Sequence, residues 1–204
     1  MDTIYYEAHK NLYLNLTNRC SADCSFCIRN FADGVYGYNL KLSKEPSEKE
    51  ILEALEKLDL TKYREIVFTG LGEPTLRFDV VLTLTRWLKS KNLRVRLDTN
   101  GHAALINPEK DVVSELKKAG IDSISVSMNA ESEEKYNKLC RPAHKNAYKG
   151  ILSFIKGAKK AGIETRVTVV DVSEIDLEAC RELVKELDCE FHIRALSEAA
   201  RKKL

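Results

Sequence analysis

The sequence predicts an α/β protein: an incomplete (β/α)6 barrel formed by a single domain over residues 1–204. Three observations carry this. Short strand patterns alternate with longer helical ones, and right-handed crossovers between such units give a parallel sheet. Six units of about 30 residues nearly exhaust the chain, whereas a closed eight-unit barrel takes roughly 250 residues. Finally, the strands alternate apolar with polar residues, although a parallel strand covered on both faces should be apolar on both.

The first strand spans 11–17, with Leu12, Leu14 and Leu16 alternating with Tyr13, Asn15 and Thr17. Ser47 and Glu50 form a capping box ahead of Ile51, Leu55 and Leu58, one apolar stripe at helical spacing. Strand two covers 65–69. Strand three, 93–99, sets Leu93, Val95 and Leu97 against Arg94, Arg96 and Asp98. Asn107 with Pro108 opens a helix that Gly120 stops. Strand four, 123–129, sets Ile124, Val126 and Met128 against Ser123, Ser125 and Ser127. Ile151, Phe154, Ile155 and Ala158 form a stripe ended by Gly162. Strand five, 164–170, pairs Val167 and Val169 with Arg166 and Thr168. Asp176 caps a helix with Leu177, Cys180, Leu183, Val184 and Leu187 inward, and strand six, 190–195, alternates Phe191 and Ile193 with His192 and Arg194. With the apolar set against helices, the polar set lines the inside of the curved sheet as a wet, charged cavity. The competing arrangement leaves that face open to bulk solvent.

Hydrophobic residues make up 44% and charged residues 31%, with nine Gly and four Pro, which excludes a disordered or fibrous chain. The net charge of +2 argues against coating by nucleic acid, and the closing "RKKL" is too short to count as a basic patch. No basic-then-apolar leader and no long uncharged apolar span occur, so the chain reads as cytoplasmic with no membrane contact. In a reducing compartment, clustered cysteines are metal or redox sites rather than a disulfide scaffold.

Cys20, Cys24 and Cys27 follow strand one directly, at the carboxyl end where sites of β/α folds collect. A closed zinc site wants four ligands, and His9, His102, His144 and His192 all lie far off in sequence. A four-iron cube takes one thiolate per iron, so three thiolates leave one iron open to a small molecule.

"CSADCSFC" resembles the C-x3-C-x2-C signature of radical S-adenosylmethionine (SAM) enzymes, with aromatic Phe26 before the third cysteine. The family's core is itself a partial (β/α)6 TIM-like barrel. The resemblance implies one [4Fe-4S] cluster on Cys20, Cys24 and Cys27, with SAM on the open iron. "TGLGEPTL" resembles the family's Gly-Gly-Glu-Pro motif, with Leu71 in place of a glycine and Gly70, Gly72 and Glu73 kept. There the resemblance implies contact with the SAM amino group. Asn100, Ser127 and Asn129 at the rim are candidates for the ribose and methionine parts of SAM. Arg166 is the candidate for its carboxylate, or else forms a floor ion pair with Asp98 or Glu164. Backbone around 194–196 is the expected adenine contact. Cys180 and Cys189 read as core residues, while Cys140 is either core or at the cavity rim.

The chemistry so implied is reductive cleavage of SAM to a 5'-deoxyadenosyl radical, driven by reduced flavodoxin or ferredoxin, with hydrogen abstraction from an unidentified substrate. Arg94, Arg96, Arg166, His192 and Arg194 against Asp98 point to an anionic small molecule or an acidic peptide. The long connection 29–46, with Phe31, Tyr36 and Tyr38, is either a lid or an ordered surface loop. "YLNLTNRCSADCSFCIRN", "LCRP" and "VTVVDVSEIDLEACRELV" resemble the small TatD-associated radical SAM proteins, implying a link to a TatD-like hydrolase. No auxiliary-cluster domain is expected after strand six. The alternatives are a glycyl-radical-enzyme activase and, from another class, a non-catalytic iron–sulfur or zinc redox module.

Overall fold

The computed structural model describes residues 2–202, so the last two residues of "RKKL" lie outside it. The strands are β1 (Tyr5–Ala8), β2 (Asn11–Asn15), β3 (Gly34–Val35), β4 (Tyr38–Asn39), β5 (Ile66–Thr69), β6 (Val95–Thr99), β7 (Ser123–Ser127), β8 (Glu164–Asp171) and β9 (Glu190–Ala195). The helices are α1 (Glu48–Leu55), α2 (Phe78–Ser90), α3 (Ala103–Ile106), α4 (Val112–Ala119), α5 (Glu133–Cys140), α6 (Ala147–Lys160), α7 (Leu177–Glu186) and α8 (Glu198–Arg201). One sheet runs β1-β2-β5-β6-β7-β8-β9, parallel except for β1. Its six parallel strands are the six read from the sequence.

The alternation sorts the faces as expected. Leu12, Leu14, Leu16, Val95, Leu97, Ile124, Val126, Met128, Val167 and Val169 are fully buried and pack in one core with Ile51, Leu116, Ile151, Ile155 and Val184 of the helices. The opposite face is polar and bonded across strands: Arg166 Nε donates to Ser125 Oγ at 3.0 Å and Arg194 to Ser127 Oγ at 3.0 Å. Ile193 departs from the pattern. It belongs to the apolar set, yet it lies 36% exposed on the edge strand β9.

Ser47 and Glu50 form the capping box, Gly120 closes α4 in the left-handed region, and Asp176 caps α7. The helix expected to open at Asn107 starts instead behind Asp111, whose carboxylate accepts from Ser114 N. Asn107 is occupied elsewhere: its amide donates to Ala103 O and Thr75 O and ends α3. Segment 29–46 contains the β3–β4 hairpin, whose turn places Tyr36 and Gly37 at positive φ. Tyr36 reaches down to His9, its hydroxyl 2.9 Å from Nε2. Among the described residues, no helix is long and apolar enough to cross a membrane.

Candidate cofactor site

The chain leaves β2 at its carboxyl end and enters a tightly held loop. Cys27 N donates to Cys24 O at 3.0 Å and Asn30 N to Cys27 O at 3.0 Å, so the second and third cysteines ride on one turn and the start of the next. Arg29 folds back to donate to Asn18 O and Ala22 O, which sets its charge beside Cys20 and Cys27. From the far side, residues 139–143 dock on this loop. Arg141, at φ +43, turns the chain out of α5, and its Nε donates to Asp23 O at 2.7 Å.

Cys20, Cys24 and Cys27 are partly exposed, free thiols. Burial, with the Glu73 charge behind it, pushes Cys20 up to about 11. A hydrogen bond from Cys140 holds Cys24 below the usual thiol range, and the same contact pushes buried Cys140 up. Among the described residues, no three His, Cys, Asp or Glu side chains lie close enough to share one metal ion. Three thiols on one loop, faced by the guanidinium groups of Arg29 and Arg194, suit an anionic cluster with one thiolate on each of three irons.

The "TGLGEPTL" turn supports this loop from below. Gly72 N donates to Thr17 O at 3.0 Å and Glu73 N to Arg19 O at 2.8 Å. A Cβ on Gly72 would stand 2.2 Å from Arg19 O, and Gly70, at φ +120, would put one 2.3 Å from Asn15 Oδ1. The Glu73 carboxylate is 2% exposed and accepts from Thr75 N, Thr75 Oγ1, Thr99 Oγ1 and Asn100 N at 2.7–3.0 Å. It binds the turn to the end of β6, and burial pushes its proton affinity up. Leu71, replacing a glycine, packs with Tyr6 and Leu40.

Asn100 stands next to the first thiol, its amide 3.7 Å from Cys20 Sγ and 2.9 Å from Ser21 Oγ. Behind it His102 is fully buried between Ser21 Oγ (2.8 Å) and the Tyr136 hydroxyl (2.7 Å). Burial lowers His102 to about 4 and keeps it neutral.

Residues 14–187 match the model of the Radical SAM superfamily. The chain belongs to the radical SAM superfamily. Members of this superfamily use a [4Fe-4S] cluster and SAM. A probable GTP 3',8-cyclase of Saccharolobus islandicus is 34% identical over 155 residues, which are 76% of this chain and 45% of that protein. The chain thus spans less than half the length of such relatives. By fold it resembles Streptococcus suis SuiB bound to precursor peptide SuiA, with a TM-score of 0.71 and 19% identity over 91% of this chain and 39% of SuiB. It also resembles anSMEcpe with bound AdoMet, with a TM-score of 0.65 and 21% identity over 90% of this chain and 51% of that one.

In this radical SAM core a cavity of about 500 Å3 opens beside the cysteine loop, bringing Phe26 and Leu196 together with Leu139, Val172 and Glu174. Ser127 lies at the rim under Arg194, whose charge faces Asp98, Cys24 and Cys27. Asn129 is turned into the sheet, its Oδ1 accepting from Val170 N. Arg166 sits one layer lower, around a small floor cavity shared with Glu65, Arg96, Glu164 and Glu190. Glu65 and Glu164 also neutralise Arg94 there, at 3.0 and 2.6 Å. Burial pushes Asp98 up to about 6 against the pull of Arg96 and Arg194. Sequence reading missed His102, Tyr136, Ser21 and Arg29. The signal for two of them lay in plain view, since "NGH" continues the strand-three motif and "CIRN" the cysteine motif.

Proposed function

We propose that Cys20, Cys24 and Cys27 hold the [4Fe-4S] cluster with one iron left for SAM, and that the chain cleaves SAM reductively to take a hydrogen atom from a substrate on the inner wall. The observation that carries this reading is the cysteine loop: three free thiols at the carboxyl ends of the strands, beside a cavity of ligand size. When bound, the cluster supplies the electron that splits the SAM sulfonium into methionine and a 5'-deoxyadenosyl radical.

The chain's own residues bind and orient. Arg29 ties the cysteine loop through Asn18 O and Ala22 O and sets a positive charge beside Cys20 and Cys27. Phe26 and Leu196 offer an apolar wall for adenine. Arg194, rather than Arg166, stands where a guanidinium meets the SAM carboxylate, since Arg166 is held at the floor. Ser127 and Asn100 lie within the same rim. Glu73, with its oxygens engaged, positions Asn100 and Thr99 and leaves the SAM amino group to other acceptors.

Arg94 and Arg96 are matched by acids, and Arg194 keeps the rim end of the wall cationic, which favours an anionic substrate, a small molecule or an acidic peptide. A nucleoside triphosphate, as in the name of the archaeal relatives, belongs to that class. Reduced flavodoxin or ferredoxin is the fitting electron donor. The stretches resembling TatD-associated members support a cytoplasmic role beside a TatD-like hydrolase. The test is anaerobic reconstitution with iron and sulfide, then SAM and dithionite, with 5'-deoxyadenosine measured by mass spectrometry. Product that depends on Cys20, Cys24 and Cys27 supports the reading. A four-iron cluster that yields none overturns it.

A further inference from the structure

Asn100 follows β6 directly and stands beside the cysteine loop with its main-chain N–H and its whole side-chain amide engaged. The N–H donates to Glu73 Oε2 at 2.7 Å, which fixes the backbone against the glycine turn. Oδ1 accepts from His102 N at 3.0 Å, an Asx turn. A main-chain N–H can only donate, so this contact decides which way the amide faces: oxygen towards His102, nitrogen towards the first thiol. Nδ2 carries two hydrogens. One meets Ser21 Oγ at 2.9 Å and the other Cys20 Sγ at 3.7 Å, within hydrogen-bond reach of a large sulfur acceptor. Ser21 is held in turn. Its Oγ lies 2.8 Å from Nδ1 of His102, whose Nε2 lies 2.7 Å from the Tyr136 hydroxyl, and these three residues are at most 5% exposed. A buried chain bonded this completely is held in one arrangement. Asn100 therefore has no donor hydrogen left for the ribose or methionine of SAM.

We propose that Asn100 tunes the reduction potential of the cluster, its amide N–H donating to the Cys20 sulfur while Ser21 and His102 position that amide. With this sulfur as a thiolate ligand to iron, the N–H stabilises the negative charge on it. A cluster that takes an electron gains one negative charge, so the donor favours the reduced form and raises the potential. Glu73 holds Asn100 by its main chain. Exchanging the side chain therefore removes the sulfur contact and leaves the bond to the glycine turn in place. The Asx turn to His102 N is lost as well, which lowers stability but does not alter the sign of the shift in potential.

This rests on Cys20 being a cluster ligand, but its readout is a potential and needs no SAM cleavage. Wild type and Asn100→Leu, of nearly equal side-chain volume, are reconstituted anaerobically and titrated with dithionite and redox mediators without SAM, the reduced cluster being counted by EPR. At the wild-type midpoint the reduced-to-oxidised ratio in Asn100→Leu should fall about tenfold, a drop of about 59 mV for one electron. Ser21→Ala should give a smaller drop, and none further when added to Asn100→Leu, because it acts only through the amide. An unchanged or higher midpoint in Asn100→Leu, or additive shifts in the double variant, overturns the proposal. So does a loss of SAM affinity in Asn100→Leu with the midpoint intact, which would return the amide to SAM. Where the variants fail to load, isotope-labelled asparagine in the wild type decides: pulsed EPR of the reduced cluster should show coupling to the labelled nitrogen, and its absence overturns the assignment. A wild type that holds no four-iron cluster overturns the underlying reading and this one with it.

Discussion

Replacing Gly72 with alanine tests how the cysteine loop is held. The new Cβ would lie 2.2 Å from Arg19 O and 2.5 Å from Thr17 O, both backbone atoms that no rotamer change can move. The two segments must part by about 0.8 Å to reach 3.0 Å, below which real Cβ contacts essentially never fall. That gap is spanned by Gly72 N to Thr17 O at 3.0 Å and Glu73 N to Arg19 O at 2.8 Å. Stretched so far, both pass beyond hydrogen-bond length. Two lost bonds, with their partners left desolvated, cost about 2–4 kcal/mol. Because Arg19 directly precedes Cys20, the displacement reaches the first thiol. Urea unfolding should show the loss in stability, and iron and sulfide content after anaerobic reconstitution should fall several-fold. A variant within about 0.5 kcal/mol of the wild type, a shift ordinary for neutral surface changes, and with full iron content, would refute this account of the turn.

His102 gives a pH signature. Its folded value, lowered to about 4 from 6.5, means that the unfolded chain takes up a proton first as pH falls. The stabilisation is therefore complete above about pH 6.5 and lost towards pH 4, a change of about 3 kcal/mol; urea titrations should lose that part of their slope in His102→Gln. Arg194→Ala should weaken equilibrium SAM binding tenfold or more, while Arg166→Ala stays within about twofold; calorimetry giving the reverse order would restore Arg166 to the rim. Leu71→Ala, which empties a site among Tyr6 and Leu40, should cost about 2 kcal/mol in thermal unfolding.

The six parallel strands were legible because each alternates cleanly, and Leu12, Leu14 and Leu16 show why: their 0% exposure is what the spacing promised. β1 was not legible. Its four residues carry no periodic signal, and its turn to β2 uses His9 and Lys10 at positive φ where Asn-Gly would have announced it. The β3–β4 hairpin hid for the same reason, with Tyr36 in the turn. The cysteines announced themselves through spacing, but Glu73 shows the limit of a motif. Its presence was readable, while the direction of its carboxylate depends on Thr75, Thr99 and Asn100, which only the fold gathers. Arg166 and Arg194 share a face by parity. Height along the strand, which parity does not encode, separates floor from rim.

The docking of residues 139–143 on the cysteine loop also sets an order of events during synthesis. Arg141 and Asp23, bonded across it, are 118 residues apart in sequence. Closing so long a segment is entropically costly unless the intervening strands have already shortened the path. The cysteines therefore emerge from the ribosome well before the segment that braces them, and the cluster loop reaches its final shape only after β7 has joined the sheet and α5 has packed beside it. Iron delivered to the growing chain would meet three thiols on an unbraced tether, so maturation of this centre belongs after translation of α5 rather than during it.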